Sequence, residues 1–335
     1  MKNITIIGAG SWGCALSRIL ADNGYEVLLY DIDQKTVDEI NTYHTNSNKL
    51  FNAMLPLTVA ATTDIKKAID FSSYIVLVVP TAVVRGVLKQ INLVINNKKI
   101  FINASKGMEP NTFKRVSEIV QEEIDNDYFE GFVALTGPSH AEEVVEQKLT
   151  VISSASDNLE HAKAVQNMFS NQQYFRVYTV NDLVGAELGG ALKNIYALAT
   201  GIVDGIGFGV NAKAAVITRA LVEMKRLAKV LGAKEETLNG LTGVGDLIVT
   251  CTSNLSRNYQ AGYMIGKGEN LEEALSKMTM VVEGARTCIS AYQAARKYNV
   301  YTPLIDGVYE IIYNHKSPLE VLKEFMNTNL KDENE

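Results

Sequence analysis

The stretch Ile4-Thr5-Ile6-Ile7-Gly8-Ala9-Gly10-Ser11-Trp12-Gly13 decides how the rest of the chain is read. A short β-branched, apolar run makes a strand, glycines at GxGxxG spacing end it, and Cys14-Ala15-Leu16-Ser17-Arg18 opens a helix. Each glycine has a physical task. Gly8 permits the tight turn, Gly10 lets backbone approach a pyrophosphate, and Gly13 lets helix and strand lie close together. The free N–H groups of the helix N-terminus favour an anion at the same place. The bare motif is a weak signal, but here a strand precedes it and a helix follows, which is the context it requires. Gly8, Gly10, Ser11, Trp12 and Gly13 are therefore candidate cofactor residues, with Trp12 as a pocket wall.

Outward from this unit, short apolar runs alternate with amphipathic ones. Strands are predicted at Ile4–Ile7, Val27–Tyr30, Ile75–Val79, Ile100–Asn103, Phe132–Leu135, Thr150–Ser153 and Phe175–Tyr178. Helices such as Gly13–Asn23, Gln34–Asn41 and Thr112–Glu123 lie between them. Apolar strands spaced by helices indicate βαβ units and a parallel, doubly wound sheet of Rossmann type. Asp31 ends the second strand about 20 residues after the glycines, where a carboxylate can bond ribose hydroxyls. That favours NAD over NADP, whose 2′-phosphate it would repel, although Lys35 nearby could receive such a phosphate.

After Asn181 the strands stop. Leu183–Asp204, Asn211–Leu231, Asn258–Ile265, Leu271–Lys277, Thr287–Lys297 and Pro303–Tyr313 read as helices. The expected organisation is a dinucleotide-binding domain over 1–181 and an all-helical substrate and catalytic domain over 182–335. The charged end, 331–335, reads as a solvated tail.

Bulk properties narrow the function. A formal net charge of -6 without a dense Lys/Arg run argues against nucleic acid as a partner. Cys14, Cys251 and Cys288 are far apart with no CxxC pair, which speaks against a disulfide framework or structural zinc. His44, His140, His161 and His315 lack metal-ligand spacing, so no metal is expected. No apolar run reaches membrane-spanning length and the N-terminus lacks the layout of a signal peptide, so the expected compartment is the cytoplasm.

Several clusters carry chemistry. Asn103-Ala104-Ser105-Lys106-Gly107 follows a predicted strand, at the carboxyl end where ligands of open α/β sheets bind. Leu188-Gly189-Gly190-Ala191-Leu192-Lys193-Asn194 lies in a long apolar helix, where the glycines cost stability unless something packs closely. Leu241-Thr242-Gly243-Val244-Gly245-Asp246 runs on to Ser256-Arg257-Asn258, and a guanidinium is a good fork for phosphate, though a carboxylate would also suit it. His140 reads as packing or a helix cap against a second proton carrier, Glu142 and Glu143 as first-turn charges, and Cys251 as a small buried group.

These segments resemble the bacterial NAD(P)-dependent glycerol-3-phosphate dehydrogenases. The resemblance rests on GAGSWG, the SKG around Lys106, GPSHAEEV at Gly137–Val144, LGGALKN ending at Asn194, GFGVNAKAAVITR at 207–219, GVGDLIVTCTSNLSRN at 243–258 and VVEGA at 281–285. It implies hydride transfer between NAD(P)H and dihydroxyacetone phosphate to give sn-glycerol 3-phosphate, for glycerophospholipid synthesis. It implies Lys193 as general acid/base, with Lys106 and Asp246 completing the catalytic group. Substrate would meet Lys106, Gly137, Ser139, Lys193, Asn194, Asp246, Ser256, Arg257 and Asn258, with Arg257 as the phosphate clamp. The dinucleotide would also meet Lys106, Ala141, Arg257, Val281 and Glu283. Many members carry a basic or neutral residue where this chain has Asp31-Ile32-Asp33, which supports NADH. Two lysines in one pocket should lower each other's pKa. A small phosphorylated substrate and a homodimer are the expected partners. The competing readings are a 3-hydroxy acid dehydrogenase and a non-catalytic dinucleotide sensor, the latter disfavoured by the presence of Lys193, Lys106 and Asp246.

Overall fold

A computed structural model describes residues 2–110, 112–278, 281–328, 330 and 332. The expected solvated tail falls outside the described residues except for Asp332, which is exposed. The aliphatic runs form β1 (Asn3–Ile7), β2 (Glu26–Tyr30), β3 (Thr45–Asn46), β4 (Leu50–Met54), β5 (Val59–Thr62), β6 (Tyr74–Leu77) and β7 (Lys99–Asn103). β8 (Phe129–Thr136), β9 (Thr150–Ala155) and β10 (Phe175–Val180) complete the strands. Eight of them make one sheet in the order β10-β9-β8-β7-β6-β1-β2-β5, and β3 pairs with β4 in a separate hairpin. The chain moves to one side of β1 with β2 and to the other with β6, so the strand order reverses there, where open sheets form their crevice.

The helices between strands are α1 (Ser11–Asp22), α2 (Gln34–Tyr43), α3 (Ile65–Phe71), α4 (Thr81–Asn92), α5 (Val116–Glu123), α6 (Ala141–Val145) and α7 (Leu159–Phe169). They cover both faces of the sheet, as period-2 alternation requires. Ile4 and Ile6 pack with Leu16, Ile19 and Phe169 on one face, whereas Ile7 packs with Ile69, Leu88 and Ile119 on the other.

Several features differ from the sequence reading. β8 and β9 are antiparallel. The segment between them holds only five-residue α6, about 7.5 Å long, too short to carry the chain back along a strand of about 20 Å. The hairpin β3–β4 and strand β5 were not expected either, because two-residue β3 and Val-Ala-Ala-Thr lack a strong alternating or β-branched pattern. The 112–123 helix also starts later, at Val116.

Beyond β10 lie α8 (Leu183–Ile206), α9 (Gly209–Val230), α10 (Asp246–Thr252), α11 (Arg257–Gly266), α12 (Leu271–Ser276), α13 (Glu283–Lys297), α14 (Pro303–Tyr313) and α15 (Pro318–Met326). A π-helical turn, Leu241–Gly245, leads directly into α10. The helix pair α8/α11 is packed through glycines. A Cβ on Gly201 or Gly205 would collide with the backbone of α11, and one on Gly262 or Gly266 with that of α8. This close crossing brings the start of α11 to the middle of α8, setting Asn258 against Asn194. The buried core here includes Leu188, Leu192, Tyr196, Met224, Leu247 and Ile305.

Candidate active site

A cleft of about 1030 Å³ runs from the β1–α1 turn to the face of α8. It is as large as the roomiest small-molecule sites, which reach about 1,000 Å³. At one end it is lined by Gly8, Gly10, Ser11, Trp12, Asp31, Ile32 and Lys49. At the other it is lined by Lys106, Ser139, Lys193, Asn194, Asp246, Ser256, Arg257 and Asn258. Ala141, Val281 and Glu283 line it as well. Gly13 and Gly137 stand behind this lining rather than in it.

The first end is built from main chain. Gly8 has φ +114°, and a Cβ there would lie 2.8 Å from the Val78 carbonyl oxygen. Space around Gly10 is open, and among the described residues no side chain caps α1 at Gly10. Gly13 sits against the Gly8 carbonyl, in the helix–strand packing expected of it. Asp31 accepts from Ala9 N and Asp33 N, both at 3.0 Å, which fixes its carboxylate at the end of β2. The hairpin braces this loop from behind: Asn46 Nδ2 donates to the Ala9 carbonyl, and Ser11 Oγ to that of Lys49, each at 2.6 Å. A helix start aimed at the cleft, an open Cα at Gly10 and a carboxylate at the end of β2 fit a dinucleotide.

The second end is built from side chains. Lys193 is buried, and its ammonium is paired with Asp246 Oδ1, itself fully buried. Lys106 Nζ lies 3.3 Å from Asp246 Oδ2 and donates to Gly137 O at 3.0 Å and Ser139 Oγ at 3.4 Å. One carboxylate thus lies between two ammonium groups. Burial pushes the Lys193 pKa down to about 7, Asp246 opposes the shift and Lys106 adds to it. The neighbouring lysine was expected to be the main cause, and desolvation is the larger one.

Asparagines fasten this centre. Asn194 Nδ2 donates to the Lys106 carbonyl at 3.1 Å, Asn258 Nδ2 to Asn194 Oδ1 at 3.0 Å, and Gly284 N to Asn258 Oδ1 at 2.8 Å. Ser256 caps α11 by accepting from Tyr259 N. Arg257 is half-buried, and among the described residues no carboxylate forms an ion pair with it; burial lowers its pKa, with Glu142 opposing. Glu283 accepts from Thr81 N at 3.2 Å at the start of α4, and burial raises its pKa.

His140 makes no cap bond, and its buried Nε2 has no partner among the described residues. Burial and then the two lysines lower its pKa. Burial pushes the Cys251 thiol up to about 12, so it is inert as a nucleophile at neutral pH. Sequence reasoning missed Lys49 and Asn46, whose hairpin carries no pattern linking it to the glycine turn. It also missed Pro80, which lines the cleft just beyond the predicted strand Ile75–Val79 and was legible as the breaker that ends it.

Comparisons with known proteins agree with this geometry. A family model for the NAD-dependent glycerol-3-phosphate dehydrogenase N-terminus matches residues 3–162, and one for the C-terminus matches 182–323. A glycerol-3-phosphate dehydrogenase [NAD(P)+] of Exiguobacterium sp. is 49% identical over 335 residues, covering 100% of this chain and 98% of the relative. One from Staphylococcus aureus is 47% identical over 333 residues, 99% of this chain and 100% of the relative. The crystal structure of glycerol-3-phosphate dehydrogenase from Coxiella burnetii superposes with a TM-score of 0.93 at 36% identity, covering 98% of this chain and 99% of the other. With both halves matched and relatives aligned end to end, the chain belongs to the NAD-dependent glycerol-3-phosphate dehydrogenase family.

Proposed function

We propose that this protein interconverts dihydroxyacetone phosphate and sn-glycerol 3-phosphate, with Lys193 as general acid/base and Arg257 as phosphate clamp. The observation that carries the reading is the Lys193–Asp246–Lys106 group, with Lys193 and Asp246 buried, in the cleft that begins at the glycine turn. When bound, the nicotinamide gives or takes the hydride at C2 of the substrate. In the oxidation, neutral Lys193 Nζ takes the C2 hydroxyl proton; in the reduction, its ammonium returns a proton to the forming alkoxide. Lys106 adds positive charge near that oxygen, which stabilises the charge that develops. Asp246 orients both lysines. Ser139, Asn194, Ser256 and Asn258, with the Gly137 backbone, shape the substrate end. Ser11, Trp12, Ala141, Val281 and Glu283 would hold the dinucleotide, and Asp31 would favour NADH through the ribose hydroxyls. Residues 1–181 and 182–335 act as the two domains, and the enzyme works in the cytoplasm as a homodimer, supplying glycerophospholipid synthesis.

The test follows nicotinamide absorbance with dihydroxyacetone phosphate, using NADH and NADPH in parallel. Oxidation should require the phosphate and run faster with NADH. Lys193→Ala should lower kcat by about 10²–10⁴-fold, the usual range for a positioned acid/base, with dinucleotide Kd unchanged. The rate of glycerol 3-phosphate oxidation should rise with pH through about 7, where Lys193 loses its proton, and reduction should fall over the same interval. Turnover of a 3-hydroxy acid without any of dihydroxyacetone phosphate would overturn the substrate assignment.

A further inference from the structure

Thr136, the last residue of β8, and Thr242, in the π-helical turn, are buried and stand behind the cleft lining. Thr136 Oγ1 donates to Thr242 Oγ1 at 2.7 Å, and Thr242 Oγ1 donates in turn to the Ala186 carbonyl at 3.1 Å. Each end of this chain leads to the centre described above. Thr136 adjoins Gly137, whose carbonyl holds Lys106. Thr242 is four residues before Asp246 on a continuous helical path. Ala186 is on α8 about two turns before Lys193, and so on the same side of that helix. One hydroxyl therefore fastens together the elements that carry Lys193, Asp246 and the main partner of Lys106.

The packing leaves this junction little slack. A Cβ on Gly189 of α8 would collide with the Thr242 carbonyl, and one on Gly243 with the backbone of Leu238. π turns are rare, and they concentrate at functional sites because they put a side chain where an α-helix would not. Here the wide turn delivers Asp246 to the first position of α10.

We infer that Thr242 is a positioning residue that sets where the Asp246 carboxylate stands between Lys193 and Lys106, and so governs proton transfer at Lys193. This rests on the acid/base reading proposed above. Among the described residues, the charged and titratable groups facing Lys193 are Asp246 and Cys251 from α10, Lys106 from the loop after β7, and His140 from the turn before α6. Asp246 is the one carboxylate among them. When it is displaced, nothing in that set replaces the negative charge that keeps the Lys193 proton in place. Misplacement by about 1 Å can cost about 10²-fold in rate without touching substrate.

The experiment titrates the Lys193 side chain by ¹⁵N NMR, assigning its signal by its loss in Lys193→Ala, in the wild type, Thr242→Val and Thr242→Ser. In Thr242→Val, Lys193 should bind its proton about tenfold more weakly, since an opposite charge a few ångströms away favours the charged form. Its kcat should fall about 10–100-fold, the scale of such misplacement, while dinucleotide Kd stays unchanged. Thr242→Ser keeps the hydroxyl and should restore both. A folded Thr242→Val in which Lys193 titrates as in the wild type overturns the inference. If that variant does not fold, Thr136→Val removes only the first bond and should shift the titration less, in the same direction; no shift there overturns it equally. Should Thr242→Val move the titration while Lys193→Ala keeps full kcat, the positioning stands and the acid/base assignment falls.

Discussion

The sheet half and the helical half build their shares of the cleft from different materials. At the dinucleotide end the sheet half works chiefly through main chain, Gly8, Gly10 and the start of α1, with an Asp31 carboxylate held by two backbone N–H groups. It sends Lys106 and Ser139 to the other end. The helical half works through side chains: Lys193, Asp246, Asn194, Asn258 and Arg257. A backbone site depends on the absence of side-chain atoms, so adding one carbon should ruin it while most substitutions nearby pass. A side-chain site should lose its chemistry one group at a time and keep its fold. Substitutions on each side test that contrast.

Among substitutions that act on binding, Gly8→Ala is expected to have the largest effect. The new methyl meets the Val78 carbonyl at 2.8 Å with φ at +114°, so both space and backbone oppose it. Left-handed and related strained conformations cost about 1–3 kcal/mol per non-glycine residue, and relief would move the turn away from the pyrophosphate position. Calorimetric titration should find dinucleotide binding weakened about 100-fold, the equivalent of about 2.7 kcal/mol. A Gly8→Ala protein that binds dinucleotide normally would break the comparison at its main-chain end.

Arg257→Ala comes next. The guanidinium has no ion-pair partner among the described residues, so an incoming phosphate would be its first. Hydrogen bonds to charged groups contribute about 1.5–3 kcal/mol, which predicts a rise of about 10–100-fold in KM for dihydroxyacetone phosphate with kcat changed little. Arg257→Lys should recover part of the loss, because an ammonium supplies charge without the two-pronged fork. Steady-state kinetics that show kcat falling instead would move Arg257 from holding the substrate to stabilising the transition state.

The same contrast explains what the sequence revealed. Gly8, Gly10 and Gly13 were legible because turn, approach and packing occupy neighbouring residues with a fixed spacing. Lys106, Lys193 and Asp246 could be picked out as polar residues in apolar or glycine-rich company, and the family resemblance joined them. Their joining in space could not be read locally. Thr136 and Thr242 are 106 residues apart, and Asn46 is 37 from the Ala9 carbonyl it holds. A threonine at a strand end and an asparagine in a two-residue strand have no periodicity to announce a partner. The antiparallel β8–β9 step was missed for another reason: helix length, rather than strand pattern, decides whether a connection can return the chain.

Away from the cleft, each half also buries a charge-bearing side chain that finishes a helix, and here the expected effect is smallest. Lys99 donates to the carbonyls of Ile69 and Ser72, both at 2.6 Å, at the end of α3. Glu223 accepts from Leu304 N at 2.8 Å and Ile305 N at 2.9 Å at the start of α14. Burial pushes the Glu223 pKa up to about 8, against the backbone bonds that lower it. An unfolded chain releases this proton near pH 4.3, roughly the reference value for glutamate. Between those values the folded state binds more protons than the unfolded one, so stability from this group declines as pH rises. It is whole below about 4.3 and lost as pH climbs through about 8. Glu223→Gln removes the titration but leaves one of the two N–H groups without an acceptor, which costs about 1–3 kcal/mol. The melting temperature should therefore drop by several degrees at pH 5, and its decline from pH 5 to 8 should flatten. A residual slope belongs to Glu283, also raised by burial, and to Glu187, which burial raises to about 7 where it accepts from Ser117 N and Oγ at the start of α5. If Glu223→Gln keeps the full slope, the carboxyl is already ionised in the fold, and α14 is capped by a charge that the helical half tolerates rather than by a neutral acid.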